Sequence, residues 1–145
     1  MSQPFHFAFF VRDLDSTRRF YGEVLGCPEG RSTETWVDFD FFGNQISAHN
    51  TGDVTATQNT GQVAGMLVPM PHFGALLGWQ AFEALAGRIR AAGLTFILEP
   101  TIRYAGEPGE QATMFLLDPS GNALEFKSFK DPDQVFTGVR HRVTA

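Results

Sequence analysis

What this chain has little of narrows its class first. Its 145 residues include one cysteine, Cys27, so no disulfide forms within it. Without a disulfide framework, a cytoplasmic setting is the expectation. No basic block is present: 11 Lys and Arg stand against 16 Asp and Glu, a formal net charge of -5. Nucleic acid and anionic membrane are therefore not expected partners. No apolar run approaches the ~20 residues of a membrane span. The start, "MSQPFHF", lacks the charged-then-apolar pattern of a secretory leader. What is there in quantity is apolar. Hydrophobic residues make up 43% and 15 residues are Phe, which predicts one packed domain or an apolar pocket rather than a charged scaffold.

The chain repeats an order of elements. "FHFAFFV" (5–11) reads as a strand, and "DLDSTRRFYGEVLG" follows with Leu14, Thr17, Phe20, Tyr21, Val24 and Leu25 at helical spacing. Asp13 or Asp15 is placed to cap this helix and Gly26 to end it. A short strand at about 29–33, then "TWVDFDFF" and "NQISAH", complete a βαβββ order. The second half does the same with "MPHFGALL" (70–77), the helix "WQAFEALAGRIRAAG", and the strands "TFILEPTI", "ATMFLL" and "NALEFKSF". Matching the turns Gly43-Asn44 and Gly121-Asn122 pairs Asp40 with Asp118, Ser47 with Glu125 and His49 with Lys127. His6 pairs with His72 at the first strand of each module. The expected organisation is α+β, one domain over 1–145, with modules 4–50 and 67–130 and a Gly/Thr-rich linker at 51–66. The helices are expected near 14–25 and 79–92. The plain reading of Cys27 is a small packed residue after the first helix.

Side chains alternate along strands, so His6, His72 and Glu125 are each on a defined face. Strand interiors hold few charges, and a buried carboxylate needs a partner. Two imidazoles and a carboxylate suit Fe2+, Mn2+, Ni2+, Co2+ or Zn2+, and a cation replaces the hydration Glu125 loses. Plainer readings stand beside this. A strand histidine is commonly a hydrogen-bonded core residue. Glu125 has Arg103 or an exposed lysine as alternative partners. His49 closes a strand and is either solvated or near the site. Arg103 and Tyr104 lie in the long segment "EPTIRYAGEPGEQ", and are either substrate contacts or ordinary loop residues.

Two segments, "FHFAFFVRDLDSTRRFYGEVLG" and "ATMFLLDPSGNALEFKSF", resemble the vicinal oxygen chelate superfamily over about 5–129. That superfamily includes glyoxalase I, extradiol dioxygenases, and the fosfomycin- and bleomycin-resistance proteins. The resemblance implies paired βαβββ modules forming a metal-holding cup, closed within one chain or across a dimer. Its ligand positions fall on His6, Ser47, His72 and Glu125. Serine is a poor ligand, so the resemblance implies the metal set His6, His72 and Glu125, as in extradiol dioxygenases. His49 and Tyr104 are then candidate catalytic residues and Arg103 a candidate substrate contact. A glyoxalase-I-like isomerase or lyase is the first alternative, and a metal-free ligand-sequestering protein the second. Sheet edges left by half-barrels make a homodimer the expectation, with the C-terminal "KDPDQVFTGVRHRVTA" packing on the partner.

Overall fold

The computed structural model describes residues 3–51, 59–63 and 65–138. The chain divides into two compact units. Unit 1 is built on residues up to 56 together with 118–122, and unit 2 on the remainder.

Unit 1 runs β1 (His6–Val11), a helix, β2 (Glu29–Ser32), β3 (Trp36–Phe41) and β4 (Asn44–Asn50), with sheet order β1-β4-β3-β2. β1 lies parallel to β4, and β3 lies antiparallel to both its neighbours. The helix α1 (Leu14–Thr17) is capped by the Asp13 side chain, which accepts from the Ser16 N–H. From Arg18 to Val24 it continues as a π-helix, and Leu25 N–H donates to Phe20 O five residues back. Gly26 ends it at φ 77°, the left-handed backbone that glycine adopts without strain.

The helix and one sheet face enclose an aromatic core. Fully buried Tyr21 meets Phe9, Phe20, Phe39 and Phe41 with ring centroids 4.9–6.4 Å apart. Burying each such ring contributes about 1.5–3 kcal/mol. Here lies much of the reason for so many phenylalanines, and Cys27 is buried beside the same helix end, as expected. The opposite sheet face carries His6, Ala8 and Phe10 against Gln45, Ser47 and His49, and it is more open, with Phe10 59% exposed.

Unit 2 adds β5 (Thr60–Val63) and β6 (Met66–Pro69), an antiparallel pair. It then repeats the order: β7 (Phe73–Leu76), α2 (Trp79–Ala91), β8 (Phe96–Arg103), β9 (Gln111–Leu117) and β10 (Ala123–Phe129). Its sheet order, β7-β10-β9-β8, reproduces that of unit 1. α2 buries Phe82, Leu85, Ala86 and Ile89, whereas Trp79, expected on that stripe, stacks on Phe82 and stays half exposed. The α+β architecture of paired βαβββ modules is therefore what the chain adopts.

Local details differ from expectation. The strand expected from Met70 starts at Phe73, because a bend occupies Met70 and Pro71. The β5–β6 pair crosses the expected 51–66 linker. Its polar Thr/Gly composition hid a ladder held by backbone hydrogen bonds rather than by an apolar stripe. Residues 52–58 and 64 of that linker lie outside the described residues. In the C-terminal segment, Pro132–Gln134 form a 3-10 turn and Phe136 is 95% exposed. The rest of that segment, 139–145, lies outside the described residues.

Candidate metal and substrate site

Strand register fixes which side chains correspond between the units. In unit 1, His6 stands opposite Gln45 and Ala8 opposite Ser47. In unit 2, Gly74 stands opposite Glu125. His72 precedes β7 and lies two residues before Gly74, as His6 lies two residues before Ala8.

Unit 2 brings two of the predicted ligands together. Glu125 is 8% exposed, and its Oε1 lies 3.2 Å from His72 Nε2. His72 Nδ1 lies 2.7 Å from the Pro69 carbonyl. A carbonyl only accepts, so Nδ1 carries the proton and donates. Nε2 therefore faces a carboxylate oxygen, an arrangement that a proton on Nε2, the nearby Lys127 ammonium or a metal ion satisfies. The ring is set by an edge-on contact with Phe115, 4.9 Å between centroids. Thr113 donates its hydroxyl to Glu125 Oε2 at 2.5 Å, which orients the carboxylate and leaves Oε1 toward His72. Lys127 Nζ is 3.9 Å from the same Oε1. Of the plainer partners considered for Glu125, the lysine is the one the geometry supplies.

Unit 1 is built differently at the matching place. Ser47 carries no carboxylate, but Asp38 stands directly opposite it on β3 and accepts its hydroxyl at 2.5 Å. Asp38 is 5% exposed. Its other oxygen takes Gln45 Nε2 at 3.3 Å and faces Arg31 Nε at 3.9 Å. Gln45 in turn meets His6 Nδ1 at 2.7 Å, and its side-chain oxygen is the acceptor there. An exposed His6 is thus held by a hydrogen-bond partner on the ring nitrogen away from Nε2. His49 lies on this face with Trp36, ring centroids 6.3 Å apart. Neither unit by itself gathers three or more His, Cys, Asp or Glu side chains into a metal-ready group among the described residues. A cavity of about 350 Å³ in unit 1 is lined by Arg31, Asp38, Asp40, Asn44 and Gln45 among others. One of about 290 Å³ in unit 2 is lined by Trp79, Ile102 and Phe129 among others. Neither includes His72 or Glu125.

Arg103 is not a loop residue. It ends β8, is 8% exposed, and donates from Nη2 to Met66 Sδ at 4.0 Å. Tyr104 follows with φ 57°, a left-handed conformation rare for an aromatic residue.

Asp38, Gln45 and Thr113 were missed from the sequence. The first two had a signal. A tight turn at Gly43-Asn44 sets the hairpin register, which places Asp38 opposite Ser47. Thr113 sits diagonal to Glu125 rather than opposite it, so register alone does not find it.

A family model for the Glyoxalase/Bleomycin resistance protein/Dioxygenase superfamily matches residues 3–126. The chain belongs to this superfamily. A crystal structure of a glyoxalase/bleomycin resistance protein/dioxygenase from Alicyclobacillus acidocaldarius is 31% identical. The match covers 93% of this chain and 97% of that one, with a TM-score of 0.77. Fold likeness extends to a glyoxalase/dioxygenase from Nostoc punctiforme, 17% identical over 87% of this chain and 90% of that one (TM-score 0.66). It extends also to a genomically encoded fosfomycin resistance protein from Listeria monocytogenes, 17% identical over 92% and 98% of the two chains (TM-score 0.65). Among the described residues no helix is long and apolar enough to cross a membrane.

The two matched turns of this chain serve two ends. Asp40 accepts the Gly43 N–H and remains exposed. Asp118 accepts from Ser120 N–H, Asn122 N–H, Asn122 Nδ2 and the Tyr21 hydroxyl, all at 2.8–3.0 Å. Burial raises the Asp118 pKa against the pull of these donors. Burial, then the neighbouring Asp118 charge, holds the Tyr21 hydroxyl well above its ordinary value. This buried pair ties the 118–122 turn into unit 1, and we read it as structural.

Proposed function

We propose that the chain is a metal-dependent small-molecule enzyme in which His72, Glu125 and His6 hold a divalent ion (Fe2+, Mn2+, Ni2+, Co2+ or Zn2+). The observation that carries this is His72 Nε2 facing Glu125 Oε1 at 3.2 Å while Nδ1 is committed to Pro69. Holding the far ring nitrogen on a carbonyl is how proteins orient metal-bound imidazoles. When bound, such an ion supplies a Lewis acid toward two adjacent substrate oxygens, with positions left open for substrate and O2 in an extradiol-dioxygenase-like reaction. Thr113 keeps one Glu125 oxygen occupied, so the other is the one presented. Arg103 binds substrate, and His49 and Tyr104 are the proposed proton-transfer groups. His6 is supplied by the same chain or by a second copy in a cytoplasmic homodimer.

Asp38 favours a second reading, a glyoxalase-I-like isomerase or lyase. It provides a buried carboxylate beside Ser47, and such a base can move a proton between neighbouring carbons. Metal analysis of full-length protein purified without chelator tests the shared premise. We expect bound divalent metal in the native chain, and loss of it in Glu125→Gln and His72→Ala with the far-UV circular dichroism unchanged. A native chain that stays metal-free after reconstitution makes this a ligand-sequestering protein instead. Oxygen uptake with a catechol panel supports the dioxygenase reading, and turnover without oxygen supports the isomerase. Mixing His6→Ala with Glu125→Gln chains tests the shared-site dimer, since restored metal binding requires exchange between copies.

A further inference from the structure

Among the described residues, the buried cation Arg103 has no counter-ion. Among the described residues no carboxylate lies within ion-pair distance of it, and its Nε has no hydrogen-bond partner at all. Nε and Nη2 make up one edge of the guanidinium, and Nη2 reaches only the Met66 thioether, a weak acceptor. Three carboxylates of the same sheet region have partners of their own. Glu99 pairs with Arg90, Glu110 with Lys130 and the Gly106 N–H, and Glu125 with His72 and Lys127. A guanidinium stays charged, and taking that charge out of water is costly unless an anion meets it. The strained backbone of Tyr104 adjoins it. Non-glycine residues in such conformations concentrate at ligand clamps.

Arg103 also lies on the sheet face that carries Glu125. β8 and β9 pair Arg103 with Gln111, Thr101 with Thr113 and Leu98 with Phe115. β9 and β10 continue these rungs to Phe129, Lys127 and Glu125. The rung of Arg103 is thus four residues along β10 from Glu125, about 13 Å at ~3.3 Å per residue.

We propose that Arg103 docks a carboxylate of the substrate, which makes the substrate class an elongated organic acid: its carboxylate lies at the Arg103–Gln111 rung and its oxygen-bearing reacting end at His72 and Glu125. Two parallel N–H groups on one guanidinium edge match the two oxygens of a carboxylate. A separation of several side-chain lengths excludes an acid as small as acetate from bridging both ends. Apolar Phe115 and Leu98 suit a hydrocarbon body near the reacting end. This inference rests on the reading of Arg103 as a substrate contact, and not on the metal.

The test uses the full chain, with and without divalent metal, and 4-phenylbutyrate as the probe against its neutral amide and methylphosphonate. Calorimetry and thermal shift read binding. In the native chain, 4-phenylbutyrate is expected to bind and raise Tm, and the amide to bind at least tenfold more weakly. Arg103→Met removes an uncompensated buried charge, so it is expected to keep or raise the ligand-free Tm and to abolish the carboxylate response. Arg103→Lys keeps the charge but loses the fork, and is expected to weaken binding about tenfold. It serves as the readout if Arg103→Met does not fold. Equal binding of acid and amide, or an unchanged response in either Arg103 variant, overturns the proposal. A response to methylphosphonate alone overturns the carboxylate class. Glu125→Gln separates this from the metal reading. A chain that never binds metal but still takes the carboxylate through Arg103 sinks the metal reading and leaves this one standing.

Discussion

In unit 2 the acid sits on the last strand, where Glu125 faces a histidine and takes a hydroxyl from Thr113. In unit 1 the last strand carries the hydroxyl, Ser47, and the acid stands across the ladder as Asp38. The strand opposite the last-strand site is used for opposite purposes. The unit 2 residue at the place of Asp38 is Phe115, which packs against the His72 ring. Two copies of one βαβββ order have thus diverged in which strand presents charge. Unit 2 leaves a carboxylate oxygen toward an imidazole, while unit 1 spends both Asp38 oxygens on neighbours from its own sheet.

The largest expected break in this comparison is at the first strands. A Cβ on Gly74 would lie 1.5 Å from the Glu125 carbonyl oxygen, whereas Ala8, its register equivalent, carries a side chain opposite Ser47. Gly74→Ala is expected to cost more than about 4 kcal/mol, which is exceptional for one substitution. Ala8→Gly is expected to cost about 1 kcal/mol. Urea denaturation of the two variants reads the difference, and equal effects would show that the first strands are not held differently.

The two turns come next. Asp118→Ala strands a buried Tyr21 hydroxyl and three turn donors, so a loss of about 3 kcal/mol is expected. Asp40→Ala loses one exposed turn bond, with about 1 kcal/mol or less expected. A turn that costs the same at both places would remove Tyr21 as the reason for the difference.

The last strands separate by metal affinity. Glu125→Gln is expected to weaken divalent binding by roughly 100-fold or more, beyond what a lost supporting contact costs. Ser47→Ala is expected to leave binding within a few-fold. Titration with Mn2+ or Co2+ distinguishes them, and matched losses would assign Ser47 a role at the metal.

The smallest effect is in pH. Burial raises the folded Asp118 pKa above its ordinary 3.8. As pH rises past 3.8 the unfolded chain loses this proton first, so stability falls with pH until the raised folded value is passed. On acidification through that window, native protein should gain relative to Asp118→Asn, by at most about 1.4 kcal/mol per pH unit. Parallel stability curves for the two would contradict the raised value.

Much of this was legible before folding because it is local. Turn glycines announced themselves: Gly43 and Gly121 take φ 87° and 89°, and Gly26 and Gly93 take 77° and 75°, at the matched turns and helix ends. Apolar spacing marked both helices. The β5–β6 pair was not legible, since Thr and Gly give a strand no apolar period. The burial of Arg103 was not legible, because its neighbours Tyr104 to Glu110 are Gly- and Pro-bearing and a buried guanidinium has no sequence signature.

By itself, then, the sequence determined the element order, the repeat, its turn positions and the correspondence of His6 with His72 and Ser47 with Glu125. Each of these depends on neighbours a few residues apart, or on a period of two or 3.6. Only the tertiary structure decided that Glu125 leans on Thr113 and faces His72, that Asp38 is the acid beside Ser47, and that Asp118 serves Tyr21, 97 residues away. It alone decided that Arg103 is buried with no anion among the described residues. Those outcomes depend on which strands pair and which charges lose their water, and both are settled by contacts far apart in the chain.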